Sequence, residues 1–190
     1  MKRTIEAREL VKQFNHYEGL IKRSEERYNE RVRTIANRFA EQRHSKNIIL
    51  LAGPSSSGKT TTSRKLQYDL GKEGIHAAVV ELDDFFTNNE DLPLLPDGRL
   101  DYDSIHALDL PLLHRCFQEL VTTGETWMPT FNFKEGRREQ ELKRVSVQNG
   151  DCIIVEGIHA LNPIITEGLP ADTYFKIYIS VETGVRFEQF

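Results

Sequence analysis

Cysteine is scarce in this chain: Cys116 and Cys152 stand alone, with no metal-ligand or paired spacing. Their isolation excludes a disulfide-stapled or zinc-stapled scaffold and fits a reduced compartment. Long apolar runs are also missing. None approaches the roughly 20 residues that cross a bilayer, and no signal peptide opens the chain. A soluble, cytoplasmic protein without a membrane partner is the expectation. Charge of one sign is not in large excess: the formal net charge is −4 over 190 residues, which argues against a surface built to coat nucleic acid. Repeats and low-complexity tracts are absent as well. The length suggests one α/β domain, large enough to bury a real core.

Proline is missing from Ile5 to Gln42, and Gly19 is the single glycine there. Apolar residues fall at Leu10, Phe14, Tyr17 and Ile21, then at Tyr28, Val32, Ile35 and Phe39. Steps of three and four mark a helical stripe, either one helix or two broken near Gly19 or Ser24. Such a stripe packs on the neighbouring domain; a coiled-coil seam, and with it a homo-oligomer, is the alternative. Residues 1–46 carry twelve Lys/Arg against seven Asp/Glu, whereas the remainder carries thirteen against twenty-two. That basic excess reads as a solvated face. Residues 1–44 are therefore taken as an N-terminal helical extension and 45–190 as the core.

The core has a βα rhythm. Asn47–Ala52 is an apolar strand, Lys59–Gly71 a helix, and Ala77–Leu82 a β-branched strand ending in the acidic pair Asp83-Asp84. A polar loop follows from Thr87 to Asp103, then a helix near Leu108–Thr123. Trp127–Phe133 and Arg144–Val147 alternate between turn signals and pair as a hairpin, and Cys152–Val155 and Tyr174–Ser180 read as buried strands. Strands alternating with helices imply a parallel sheet with ligands at its carboxyl ends.

The most specific signal is Gly53-Pro54-Ser55-Ser56-Ser57-Gly58-Lys59-Thr60, which fits G-x-x-x-x-G-K-[ST] between a strand and a helix. Glycines let successive N–H groups curl around a phosphate, and the helix that follows adds its positive end. Gly53, Ser55, Ser56, Ser57, Gly58, Lys59, Thr60 and Thr61 are accordingly the expected nucleotide-binding residues. Lys59 would reach the β- and γ-phosphates and Thr60 would hold Mg²⁺. Glu156 directly follows Cys152–Val155, where its carboxylate could orient a magnesium-bound water. Asp83 ends the second strand, in place for a base that receives a proton from an attacking hydroxyl. His159, near Glu156, reads as a hydrogen-bonded structural residue. The chain has no N-K-x-D motif, which disfavours a GTPase-like switch.

GPSSSGKTTT, ELDDFFTN, LDYDSIHALDL, MPTFNFKEGRR and IIVEGIHALNP, in this order, resemble the uridine kinase/phosphoribulokinase family of P-loop kinases. The likeness covers about residues 30–180 and is greatest to the bacterial uridine kinase-like domain found behind a TGS domain in longer proteins. It implies an α/β P-loop core that uses ATP and Mg²⁺ to phosphorylate a nucleoside-like hydroxyl. By the same resemblance Asp83 is the general base, with Lys59 on the phosphates. Asp103 binds the ribose hydroxyls, Tyr102 lines the sugar and base pocket, and Glu156 is the acid of the Walker B-like strand.

Two departures stand out. Pyrimidine kinases of the family place Tyr and His against the base, where this chain has Phe131 and Gly136, leaving an apolar ring and an empty space. Arg137 and Arg138 could hold a phosphate or carboxylate there. The family also continues into an arginine-rich lid and a fifth strand, whereas here Arg186 is the one basic residue after Tyr174–Ser180. The expectation is a lidless piece of a longer multidomain chain that binds nucleotide and transfers phosphate poorly. A kinase of another small molecule, such as a phosphopentose or pantothenate, and a nucleotide-binding regulatory module stay open as readings.

Overall fold

The computed structural model describes Arg8, Lys12 and residues 17–43 and 47–180. Leu10 and Phe14 of the apolar stripe, and Arg186, lie outside the described residues. Helix α1 runs Tyr17–Gln42 without interruption, so neither Gly19 nor Ser24 breaks it. A single interior glycine costs a helix only about 1 kcal/mol, and Gly19 sits in the first turn. Strand β1 (Ile48–Ala52) leads through a loop into α2 (Lys59–Lys72), and β2 (Ala77–Glu81) follows. The second strand stops one residue early because Leu82–Phe85 closes into a 3₁₀ turn, which carries Asp83 and Asp84. Helix α3 spans Leu110–Thr123, opened by Asp109, whose side chain accepts a hydrogen bond from the Leu112 N–H.

The next strands are short: β3 (Glu125–Met128), β4 (Phe131–Asn132), β5 (Arg137–Arg138) and β6 (Lys143–Ser146). The expected single hairpin is two separate ladders. β3 pairs with β6, with Trp127 opposite Arg144, and β4 pairs with β5, with Phe131 opposite Arg138. Pro129, which has no N–H to donate, lies between β3 and β4 and interrupts the run. Strands β7 (Cys152–Glu156) and β8 (Tyr174–Tyr178) are the last among the described residues.

Among the described residues the main sheet has four strands, ordered β2-β7-β1-β8 and parallel throughout. Strands buried on both faces read as continuous apolar runs, which is why IILLA and CIIVE were visible in the sequence. Alternate residues feed opposite faces. Ile48, Leu50, Val155 and Ile153 join Leu113, Phe117 and Leu120 of α3 on one side. Ile49, Leu51, Ile154 and Ile177 join Leu66 and Leu70 of α2 on the other, together with Val32, Ala36 and Phe39 of α1. The stripe of α1 thus covers the core: Phe39 meets Phe175 edge-on at 5.8 Å, and Tyr28 Oη lies 2.7 Å from Thr62 Oγ1 at the start of α2. Both cysteines are free and buried, and burial pushes the Cys152 thiol up to about 12. No described helix is long and apolar enough to cross a membrane.

Candidate active site

The loop after β1 is shaped by close backbone approach. A Cβ at Gly53 would lie 2.4 Å from the Ile179 carbonyl oxygen and 2.7 Å from Ser57 Oγ, so no side chain fits. The loop then takes left-handed conformations at Ser56 (φ 60°) and Gly58 (φ 87°), and α2 begins with no side-chain cap. Its first N–H groups and its positive end therefore face the loop. Ser57 Oγ is buried without a hydrogen-bond partner, an uncommon state for a polar atom. Lys59 Nζ folds back over the loop, 3.2 Å from the Pro54 carbonyl oxygen, while Ser55 and Thr61 lie exposed on either side. An orphaned hydroxyl, an uncapped helix and an overhanging lysine make a cradle that fits a phosphate chain.

Beside this cradle the exposed Thr60 hydroxyl donates to Glu156 Oε1 at 2.6 Å. Glu156 is 5% exposed at the end of β7. Burial raises its pKa, and the Thr60 hydrogen bond partly offsets the rise. Sheet register sets Glu156 next to Leu51 on β1 and Glu81 on β2. Asp83 retains solvent access, yet the protein packed around it raises its pKa; Lys59 pulls it down, Glu81 up and His159 down. Lys59, Thr60, Glu81, Asp83 and Glu156 thus form one electrostatic cluster at the carboxyl ends of β1, β2 and β7. A hydroxyl and a carboxylate in contact suit a hard cation that keeps most of its ligands as water and phosphate oxygens. Among the described residues no group of three His, Cys, Asp or Glu could hold a metal without such help.

The other half of the cleft is aromatic. Phe86 lies 5.5 Å from Tyr102, 5.6 Å from Phe131 and 5.7 Å from Phe133, measured between ring centroids. Phe86 and Phe131 are buried, whereas Phe133 is 56% exposed. Asp84 anchors this wall by accepting the Phe131 N–H at 3.4 Å; burial raises its pKa and that N–H lowers it. Asp103 is exposed, and its carbonyl oxygen lies 2.9 Å from His159 Nε2. His159 therefore ties the Asp103 segment to the chain leaving β7.

Arg138 departs from the reading as an acceptor contact. Its Nε donates to the Phe86 carbonyl oxygen at 2.9 Å, Nη2 to that of Phe85 at 3.2 Å, and Nη1 to Asp109 Oδ2 at 2.9 Å. It is a strut that fixes the chain just after Asp83-Asp84 to the start of α3. Arg137 turns outward to Glu135. The space beside Gly136 is not empty either, because the Asn89 side chain fills it. Glu81 and Asn89 were missed in the sequence; an acidic residue closing an apolar strand was the available signal for Glu81, and Asn89 gave none.

Residues 48–189 match the Phosphoribulokinase / Uridine kinase family. The chain belongs to that family. A uridine kinase from Lactobacillus johnsonii is 30% identical over 140 residues, covering 74% of this chain and 64% of the relative. This chain therefore spans under two-thirds of the length of that relative. In three dimensions it is similar to a possible uridine kinase from Bacillus stearothermophilus, with TM-score 0.59, 20% identity, and 73% and 72% of the two chains covered. D-glycerate 3-kinase from Cryptococcus neoformans aligns with TM-score 0.53 and 24% identity over 70% of this chain and 52% of that one. These likenesses establish the α/β P-loop kinase fold.

Proposed function

We propose that the chain transfers a phosphoryl group from ATP to the hydroxyl of a nucleoside or a similar sugar-containing acceptor. The observation that carries this reading is the Thr60–Glu156 contact at 2.6 Å beside the loop and the uncapped start of α2, with Asp83 in the same charge cluster. The loop N–H groups and Lys59 bind and orient the phosphates. Thr60 and Glu156 would hold magnesium, which when bound neutralises charge on the phosphate oxygens. Asp83 receives the proton of the acceptor hydroxyl on its carboxylate, and its raised pKa strengthens it as a base. Asp103 and Tyr102 contact the sugar, while the aromatic wall excludes water from the reacting groups. Little covalent chemistry is required, since positioning and charge supply most of the rate in phosphoryl transfer.

Product analysis tests the proposal. The full-length protein is incubated with γ-labelled ATP and a panel of ribonucleosides, deoxynucleosides and pentoses. Label is expected in an organic phosphoester, with ribonucleosides preferred over 2′-deoxy analogues. Label appearing only as inorganic phosphate would overturn the kinase reading.

A further inference from the structure

The aromatic half of the cleft contains a polar device that the family resemblance does not describe. Gly136 is buried with φ +64°, and a Cβ on it would lie 2.0 Å from Asn89 Nδ2. No side chain can occupy position 136 while Asn89 stays where it is. Asn89 is held firmly. Its backbone N–H donates to the Gly136 carbonyl oxygen at 2.8 Å, and the preceding Asn88 Oδ1 accepts the Arg138 N–H at 3.1 Å. Tyr102 Oη donates to Asn89 Oδ1 at 2.5 Å, which fixes the carboxamide orientation. With the oxygen engaged, the amide nitrogen is left with two donors and no protein acceptor among the described residues. The ring of the same Tyr102 belongs to the wall made with Phe86, Phe131 and Phe133.

We infer that the Asn89 carboxamide is the specificity-determining contact of the acceptor cleft. It selects an acceptor whose flat ring carries a hydrogen-bond-accepting oxygen, in preference to a bare sugar. This rests on the kinase reading above. Aromatic faces and edges pack a planar ring at low entropic cost. The Asn89 amide nitrogen lies over Gly136, beside the aromatic wall, where its free N–H groups would reward a carbonyl oxygen on the ring edge and go unpaired with a ligand that lacks one. A site built around a donor discriminates strongly against analogues without the matching acceptor. Asn89 thereby supplies polar readout from the segment after β2, in the place where position 136 can supply none.

Uridine and ribose serve as probe acceptors for the full-length parent, Asn89→Asp and Tyr102→Phe. Asn89→Asp keeps size and still accepts the Tyr102 hydrogen bond, but it has no donors. Its kcat/KM for uridine should fall on the order of tenfold or more, chiefly through KM, while ribose turnover and MgATP affinity stay near the parent's. Tyr102→Phe frees the carboxamide to rotate and should give a smaller loss for uridine; because this side chain also contacts the sugar, ribose serves as the control only for Asn89→Asp. The inference is overturned by parent-like uridine kinetics in Asn89→Asp, by equal losses for uridine and ribose, or by a parent that prefers ribose. In each of those cases phosphoryl transfer itself survives. A parent that phosphorylates neither probe nor any member of the wider panel overturns both readings.

Discussion

The two ends of the cleft are built by different means. The phosphate end is mostly backbone from consecutive residues, Gly53 to Thr61, completed by Glu156 from the adjacent strand. The acceptor end is mostly side chains, collected from the segment after β2, the loop before α3 and the β4–β5 ladder. Backbone N–H groups recognise phosphate whatever the rest of the ligand is, so the first end is generic. Side chains can be exchanged one at a time, so on the proposed reading the second end is where acceptor choice would be set. The difference teaches that membership of a kinase family says more about the phosphate end than about the acceptor.

Mutations can separate the two ends. Asp83→Asn keeps the shape of the acid and removes the base, so turnover of the identified acceptor should drop by about 10²- to 10⁴-fold. Affinity for MgATP should be unchanged, as calorimetry would show. If Asp83→Asn turns over at the parent's rate, the base lies elsewhere and Asp84 is the next candidate.

A smaller effect is expected from Arg138→Ala. Its partners include the backbone carbonyls of the buried Phe85 and Phe86 and the Asp109 side chain, which also caps α3. Loss of a charge-assisted strut should cost about 1–3 kcal/mol of stability, read as a lowered denaturation midpoint. KM for the acceptor should rise while the MgATP dissociation constant holds. Equal weakening of both substrates would show that the two ends are one mechanical unit.

The smallest effect concerns pH. Burial raises Glu156, Asp83 and Asp84 in the folded protein, so each binds its proton more tightly folded than unfolded. Stability should therefore decline as pH rises from the ordinary carboxylate range through the raised values. MgATP affinity should rise over the same window, because metal binding needs Glu156 ionised. Melting temperatures and calorimetric titrations across that range should slope in opposite directions, and Glu156→Gln should flatten the affinity slope and lessen the stability slope, Asp83 and Asp84 keeping the rest. Parallel slopes would remove Glu156 from the metal site.

What could be read in the sequence follows the same division. The phosphate loop is local, so motif and geometry are one statement, and the buried parallel strands announce themselves as apolar runs. Helix α1 was legible as a stripe, though its continuity through Gly19 was not, since propensity alone is a weak guide where packing on α2 and β8 decides. Arg138 read as a candidate contact for a phosphate or carboxylate. Its partners, Phe85, Phe86 and Asp109, are distant in sequence, and only the fold brings them together. The closure of position 136 by Asn89 was illegible for the same reason: a glycine in the sequence reads as space, whatever another segment places there.

The claim that the phosphate end works independently of the acceptor end is tested most directly by titrating a non-hydrolysable MgATP analogue into three proteins. These are the parent, Lys59→Ala and Asp103→Asn, each full-length. Lys59→Ala should lose about 1.5–3 kcal/mol of binding, the worth of a hydrogen bond to a charged group, whereas Asp103→Asn should bind within about twofold of the parent. Parent-like affinity in Lys59→Ala, or an equal loss in Asp103→Asn, would contradict the account.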